Sequence, residues 1–163
     1  MAFATVLSED RHAGSLFKKT STTMFAITRS GRRKILIVED DELIGWSMAY
    51  ALGRAGFDPE VVDCAEAALG KIAAGGYGVV ISDFTLPRMD GLRFTAGLRT
   101  ISPSLPVILM SAREEICLPE AESNAKIDFF IEKPFNLQEI VSLVQDILDS
   151  PASNLRKSYE PEN

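Results

Sequence analysis

Four short apolar runs in this 163-residue chain lead straight into side chains that can do chemistry. Ile35-Leu36-Ile37-Val38 stops at Glu39 and Asp40, and Val79-Val80-Ile81 reaches Asp83 two positions later. Val107-Ile108-Leu109-Met110 gives way to Ser111, and Phe129-Phe130-Ile131 is followed within two residues by Lys133. Core packing alone does not require a charged or hydroxyl group after each run. Three carboxylates gathered in one cleft repel, so they must protonate, splay apart or share a cation. Mg²⁺ answers that need: it takes carboxylates, a backbone carbonyl and waters, and leaves room for phosphate oxygens. In such a setting Asp83 can act as a nucleophile on phosphorus to give an aspartyl phosphate. Lys133 would neutralise the phosphoryl charge and Ser111 would donate a hydrogen bond to one of its oxygens.

That chemistry needs the ends of the runs to converge, and the rest of the sequence supplies a frame for it. Leu43, Ile44, Met48, Ala51 and Leu52 recur at helical spacing before the stop signal of Gly56. Glu60 to Asp63 reads as a short strand, and Glu66 to Ala74 as a helix closed by Gly75-Gly76. A loop with Pro87 and Gly91 leads to a helix over Leu92 to Ile101. Residues 113–126 contain Pro119, so the fourth helical stretch is expected to be short or broken. Asn136 can cap a last helix with the stripe Leu137, Ile140, Val141, Val144, Ile147 and Leu148. Leu143 falls off that stripe and reads as a surface residue. Five short buried strands alternating with helices predict an α/β fold, a doubly wound parallel sheet with helices on both faces. Ligands of such sheets bind beyond the carboxyl ends of the strands, where the named side chains lie.

Composition sets outer limits. The chain is 46% hydrophobic and 25% charged, which suits one globular domain. Residues 1–34 carry seven Lys/Arg against Glu9 and Asp10, whereas the remainder carries ten basic and twenty-one acidic groups. The expected organisation is a basic, flexible extension over residues 1–33, a folded domain over 34–149 and a polar tail over 150–163. An acidic body disfavours direct nucleic-acid binding, which needs clustered Lys/Arg. No apolar run approaches the roughly 18 residues of a membrane span. Cys64 and Cys117 form no CxxC pair and have no nearby histidine, so neither a zinc site nor a disulfide framework is indicated, and a reducing, cytoplasmic setting is expected.

Taken together, Ile35 to Glu42, Ser82-Asp83-Phe84-Thr85-Leu86-Pro87-Arg88-Met89-Asp90-Gly91, Met110-Ser111-Ala112 and Glu132-Lys133-Pro134-Phe135 resemble the receiver domain of two-component response regulators. The resemblance runs over about residues 34–149 in matching order. It implies a flavodoxin-like sheet of order 2-1-3-4-5. It also implies that Asp83 accepts phosphate from a histidine kinase or a phosphotransfer protein. By the same resemblance Asp40 binds Mg²⁺ directly, Glu39 does so largely through water, and Asp83 and the Thr85 backbone carbonyl complete the protein ligands. Ser111 and Lys133 read the phosphoryl group, and Ser111 and Phe130 form the switch. Three positions depart from the commoner pattern: Glu39 stands where Asp is usual, Phe130 where Tyr is frequent, and Pro119 interrupts the fourth helical stretch.

Only 14 residues follow Asp149, too few for an output domain, so a stand-alone receiver is expected to signal by protein contact with a downstream target. It would assist its own phosphorylation and dephosphorylation without being an enzyme acting on other molecules. A homodimer through the last-helix face is a further expectation. Two other readings stay open on sequence: a phosphorylation-independent adaptor, and a phosphatase with an aspartyl nucleophile. Against the phosphatase, no second acid stands two residues after Asp83, where Thr85 lies.

Overall fold

Continuous burial of Ile35 to Val38 has a direct structural cause: their strand lies between two others and is covered on both faces. The computed structural model describes residues 34–112 and 127–149. In chain order the elements are β1 (Lys34–Val38), α1 (Glu42–Arg54), β2 (Asp58–Val62), α2 (Ala65–Ala74), β3 (Val79–Asp83), α3 (Gly91–Ile101), β4 (Val107–Ala112), β5 (Phe129–Lys133) and α4 (Leu137–Asp149). The strands form one parallel sheet of order β2-β1-β3-β4-β5, the doubly wound order expected.

Strand alternation divides the core into two layers. Ile35, Ile37, Ile81, Ile108 and Met110 meet Met48 and Leu52 of α1 and Ile140 and Val144 of α4. Leu36, Val38, Val80 and Val107 face the other way, onto Ala68 and Ile72 of α2 and Phe94 and Leu98 of α3. Each fully buried Ile or Leu contributes on the order of 1.5–3 kcal/mol, so these layers fix which strand ends sit side by side.

Helix starts follow from capping chemistry. Asp41 Oδ1 accepts hydrogen bonds from the Leu43 and Ile44 amides at 2.9 and 3.1 Å. Asp90 does the same for the Arg93 amide at 2.8 Å, and Asn136 for the Gln138 amide at 2.9 Å. Each satisfies a donor that the first helical turn leaves unpaired. Gly56, at φ 88°, ends α1 in a conformation that costs glycine little.

Three expectations from the sequence need correction. The second strand is not a buried strand beginning at Glu60: it is an edge strand, Asp58–Val62, with only Val62 buried. With one neighbour and one open side, it tolerates Pro59 and a charged Glu60. Leu43 does not belong to the inner stripe of α1, which is Gly45, Met48 and Leu52; it faces solvent. Leu143 is buried, because the contact face of α4 is wide enough to take in Leu143 beside Ile140 and Ile147. The expected extension over residues 1–33, the fourth helical stretch with Pro119 and Cys117, and the tail over 150–163 lie outside the described residues.

Glu60 anchors the edge strand. Its carboxylate meets Lys71 Nζ at 2.5 Å, Tyr77 OH at 2.6 Å and Lys34 Nζ at 2.9 Å. The hydrogen bond from Lys71, then those from Tyr77 and Lys34, hold its carboxyl at about 2, below its ordinary 4.5. A depressed acid stabilises the fold above its unfolded value, and that contribution fades as pH falls from about 4.5 toward 2. Glu60→Gln is therefore expected to lower stability at pH 7 by about 1 kcal/mol, the scale of a partly exposed ion-pair network. In urea denaturation the gap between the two proteins should narrow below about pH 4.5 and close only as pH falls to about 2. A gap that widens on acidification would contradict the account.

Candidate functional site

Reversal of strand order at β1 and β3 places two carboxyl ends next to each other. Val38 is opposite Ser82 in the register, so the residues that follow, Glu39 and Asp83, emerge side by side. Carboxylate oxygens of Glu39, Asp40 and Asp83 lie within 4.8 Å of one another. Glu39 and Asp83 are buried and Asp40 is exposed, so the cluster has a closed floor and an open mouth. Lys133, at the end of β5, reaches in from the far side of β4. Its Nζ is 2.9 Å from Asp83 Oδ1 and 3.6 Å from Glu39 Oε2.

One ammonium does not balance three carboxylates. Glu39 Oε2 is buried without a hydrogen bond, and Oε1 accepts one from the Asp41 amide at 3.3 Å. Burial, and then the neighbouring Asp83 charge, push the Glu39 carboxyl above its ordinary range. An orphaned carboxylate oxygen beside two further acids fits a hard divalent cation. The 4.8 Å spread is close to the roughly 4.2 Å that separates opposite ligands of one Mg²⁺ ion, a gap that a ligand acting through water accommodates.

The remaining predicted residues stand around this cluster. Ser111 is buried at the end of β4, one position past Met110, the register partner of Asp83; its Oγ donates to the Ala112 carbonyl at 3.1 Å. Thr85 is exposed in the loop two residues after Asp83. Phe130 is half-buried in β5, paired in register with Leu109 and three residues before Lys133. The geometry thus joins Glu39, Asp40, Asp83 and Lys133 directly, with Ser111 and Thr85 at the same strand ends.

Two features of the site escaped sequence reasoning. Gly91 starts α3 directly beneath Asp83: a Cβ there would lie 2.7 Å from the Asp83 carbonyl oxygen and 2.9 Å from Phe84 Cα. Its amide donates to the Phe84 carbonyl at 2.7 Å, so only glycine lets the helix pack this closely against the loop that carries Asp83. Beside Lys133, an apolar groove of about 610 Å³ runs between Leu43, Ile44 and Ser47 of α1 and Pro134, Phe135 and Leu137. The Lys133–Pro134 peptide bond bordering it is cis.

The response regulator receiver domain model matches residues 35–145. The chain belongs to that family. Over 115 residues it is 35% identical to the transcriptional regulatory protein BasR of Escherichia coli K12, covering 71% of this chain and 52% of BasR. The chain spans about half the length of the curated relatives it matches. Among solved structures, a CheY-like receiver domain protein from Methanospirillum hungatei JF-1 is 26% identical, with a TM-score of 0.65 over 72% of this chain and 94% of the other. The receiver domain of the sensor histidine kinase PA1611 from Pseudomonas aeruginosa PAO1 shares the fold at 22% identity, with a TM-score of 0.64 over 73% of this chain and 99% of that one. That structure holds a magnesium ion coordinated in its active site cleft. Receiver domains are modules of two-component signalling, and the sheet order of this chain is theirs. No helix among the described residues of this receiver domain is long and apolar enough to cross a membrane.

Proposed function

We propose that this receiver domain is a phosphorylatable switch in which Asp83 accepts a phosphoryl group from a histidine kinase or a phosphotransfer protein. The observation that carries the reading is the cation-deficient cluster of buried Glu39 and Asp83 with exposed Asp40, with Lys133 Nζ 2.9 Å from Asp83 Oδ1. Glu39, Asp40, Asp83 and the Thr85 carbonyl would hold Mg²⁺, as the magnesium-bound PA1611 receiver supports. When bound, the ion would offset the charge of the carboxylates and of the incoming phosphoryl oxygens. An Asp83 carboxylate oxygen attacks phosphorus; its O–P bond forms as the donor's P–N bond breaks, and the electron pair leaves on the donor nitrogen. Lys133 then moves its contact from Asp83 to a phosphoryl oxygen, and Ser111 turns its hydroxyl from the Ala112 carbonyl toward another. Phe130, half-buried, follows Ser111 and changes the surface that a downstream protein target reads.

On this reading the folded domain over 34–149 is a phosphoacceptor that assists its own phosphorylation and dephosphorylation, working in the cytoplasm. Its acid excess disfavours direct contact with nucleic acid. The last helix turns Gln138, Glu139, Ser142, Gln145, Asp146 and Asp149 to solvent, so a homodimer through that face would be a polar one.

The metal half of the reading is tested by scanning calorimetry. MgCl₂ is expected to raise the melting temperature of the wild type by several degrees, since an ion at about 100 times its dissociation constant adds about 2.7 kcal/mol. Glu39→Gln combined with Asp40→Asn should lose that rise. A wild type whose melting temperature ignores Mg²⁺ would overturn it.

A further inference from the structure

Among the described residues, no other element covers the outer face of helix α1. Leu43, Trp46 and Tyr50 are 72%, 63% and 58% exposed, and only two other large apolar side chains among the described residues, Val61 and Ile101, are exposed at all comparably. At a rotation of about 100° per residue, Glu42, Leu43, Trp46, Tyr50, Gly53 and Arg54 share one arc of about 120°, opposite buried Gly45, Met48 and Leu52. The Trp46 and Tyr50 rings stack with centroids 5.5 Å apart and planes 18° from parallel, forming a flat aromatic platform. Gly53 leaves a gap beside it: nothing lies within 4 Å of where its Cβ would be. Glu42 and Arg54, at the two ends, have no ion-pair partner among the described residues.

The order of these residues is self-complementary. Positions 43, 46, 50 and 53 have the alternating three-and-four spacing of a helix-pairing seam. Two such helices laid antiparallel about a two-fold axis at the level of residue 48 bring Trp46 of one copy level with Tyr50 of the other. The same arrangement sets Leu43 over Gly53, bulk over gap, and carries Arg54 to the end where the other copy presents Asp41 and Glu42. A parallel arrangement would place Leu43 against Leu43, Gly53 against Gly53 and like charges together. Opposed helix dipoles favour the antiparallel sense as well.

We propose that this chain self-associates through α1, in an antiparallel, isologous pair of helices with Trp46 and Tyr50 at its centre. The seam is one helix of 13 residues, about 20 Å long, so the interface is at the small end and the dimer is weak and concentration-dependent. Its upper end touches the functional site: Glu42 follows Asp40 by two residues, and Leu43 also lines the groove beside Lys133. Pairing therefore covers one flank of the approach to Asp83, and a phosphodonor arriving on that flank competes with the second copy. The pairing itself does not depend on the phosphoryl reading.

Sedimentation velocity on the full chain, from about 5 to about 500 μM, a range bracketing micromolar dissociation constants, tests the proposal. The mean mass of the wild type is expected to climb from the 17.8 kDa monomer toward twice that value. Trp46→Ala with Tyr50→Ala should remain monomeric throughout. Gly53→Leu should weaken association at least about tenfold by filling the gap, while melting no lower than the wild type because leucine favours a helix over glycine. A wild type that stays monomeric at every concentration would overturn the proposal and leave the face to a phosphodonor. So would a dimer that both variants retain.

Discussion

A chain carrying Asp83→Asn is expected to lose phosphoryl acceptance by at least about a hundredfold, because covalent capture needs the nucleophile itself and a carboxamide is not one. The neighbouring acids do not replace it. Glu39 has a carboxyl raised above its ordinary range by burial and by Asp83, and its Oε2 is enclosed. Asp40 is exposed, and the ammonium of Lys133 lies against Asp83 instead, 2.9 Å from its Oδ1. The substitution is close to isosteric, so thermal unfolding should remain cooperative. Labelling by a small phosphodonor, followed on a phosphate-affinity gel, reads the loss directly. Undiminished labelling of the variant would move the acceptor to another residue.

The largest effect on stability is expected away from the site. Asp128 Oδ2 accepts from Arg99 Nη2 at 2.6 Å and from the Val107 amide at 3.0 Å, and Arg99 Nη1 donates to the Leu105 carbonyl at 2.6 Å. The two side chains are 9% and 11% exposed. This pair ties the end of α3 to the starts of β4 and β5, and so fixes the strands that deliver Ser111 and Lys133. Asp128→Ala leaves a guanidinium and a backbone amide without that carboxylate in a nearly dry setting, a loss of about 3–5 kcal/mol. Domains of this size are stable by about 5–15 kcal/mol, so the variant should be close to unfolding at physiological temperature. Asp128→Asn keeps an oxygen for the Val107 amide and should lose less. Urea denaturation at pH 7 measures both; a change under about 1 kcal/mol for Asp128→Ala would mean that solvent or other groups replace the pair.

Legibility differed from element to element for physical reasons. β1, β3 and β4 were plain in the sequence because strands covered on both faces need continuous apolar runs, and those runs end where the sheet meets solvent. Glu39, Asp83, Ser111 and Lys133 stood out for the same reason, as reactive groups within two residues of the end of a buried run. Asp58–Val62 was misjudged because an edge strand carries no such run. Leu43 and Leu143 were misplaced in opposite senses, since exposure depends on which neighbours cover a helix and not on that helix's own period. The Arg99–Asp128 pair joins residues 29 positions apart, and no local pattern announces it. Gly91 looked like a turn residue; its tight packing against the Asp83 carbonyl oxygen is a tertiary fact.

Intact-mass spectrometry of the wild-type chain after acetyl phosphate treatment, with and without Mg²⁺, bears most directly on Asp83 as a phosphoacceptor. A gain of about 80 Da, one phosphoryl group, is expected only when Mg²⁺ is present and only while residue 83 is aspartate. An unlabelled wild type, or a label that Asp83→Asn keeps, would contradict it.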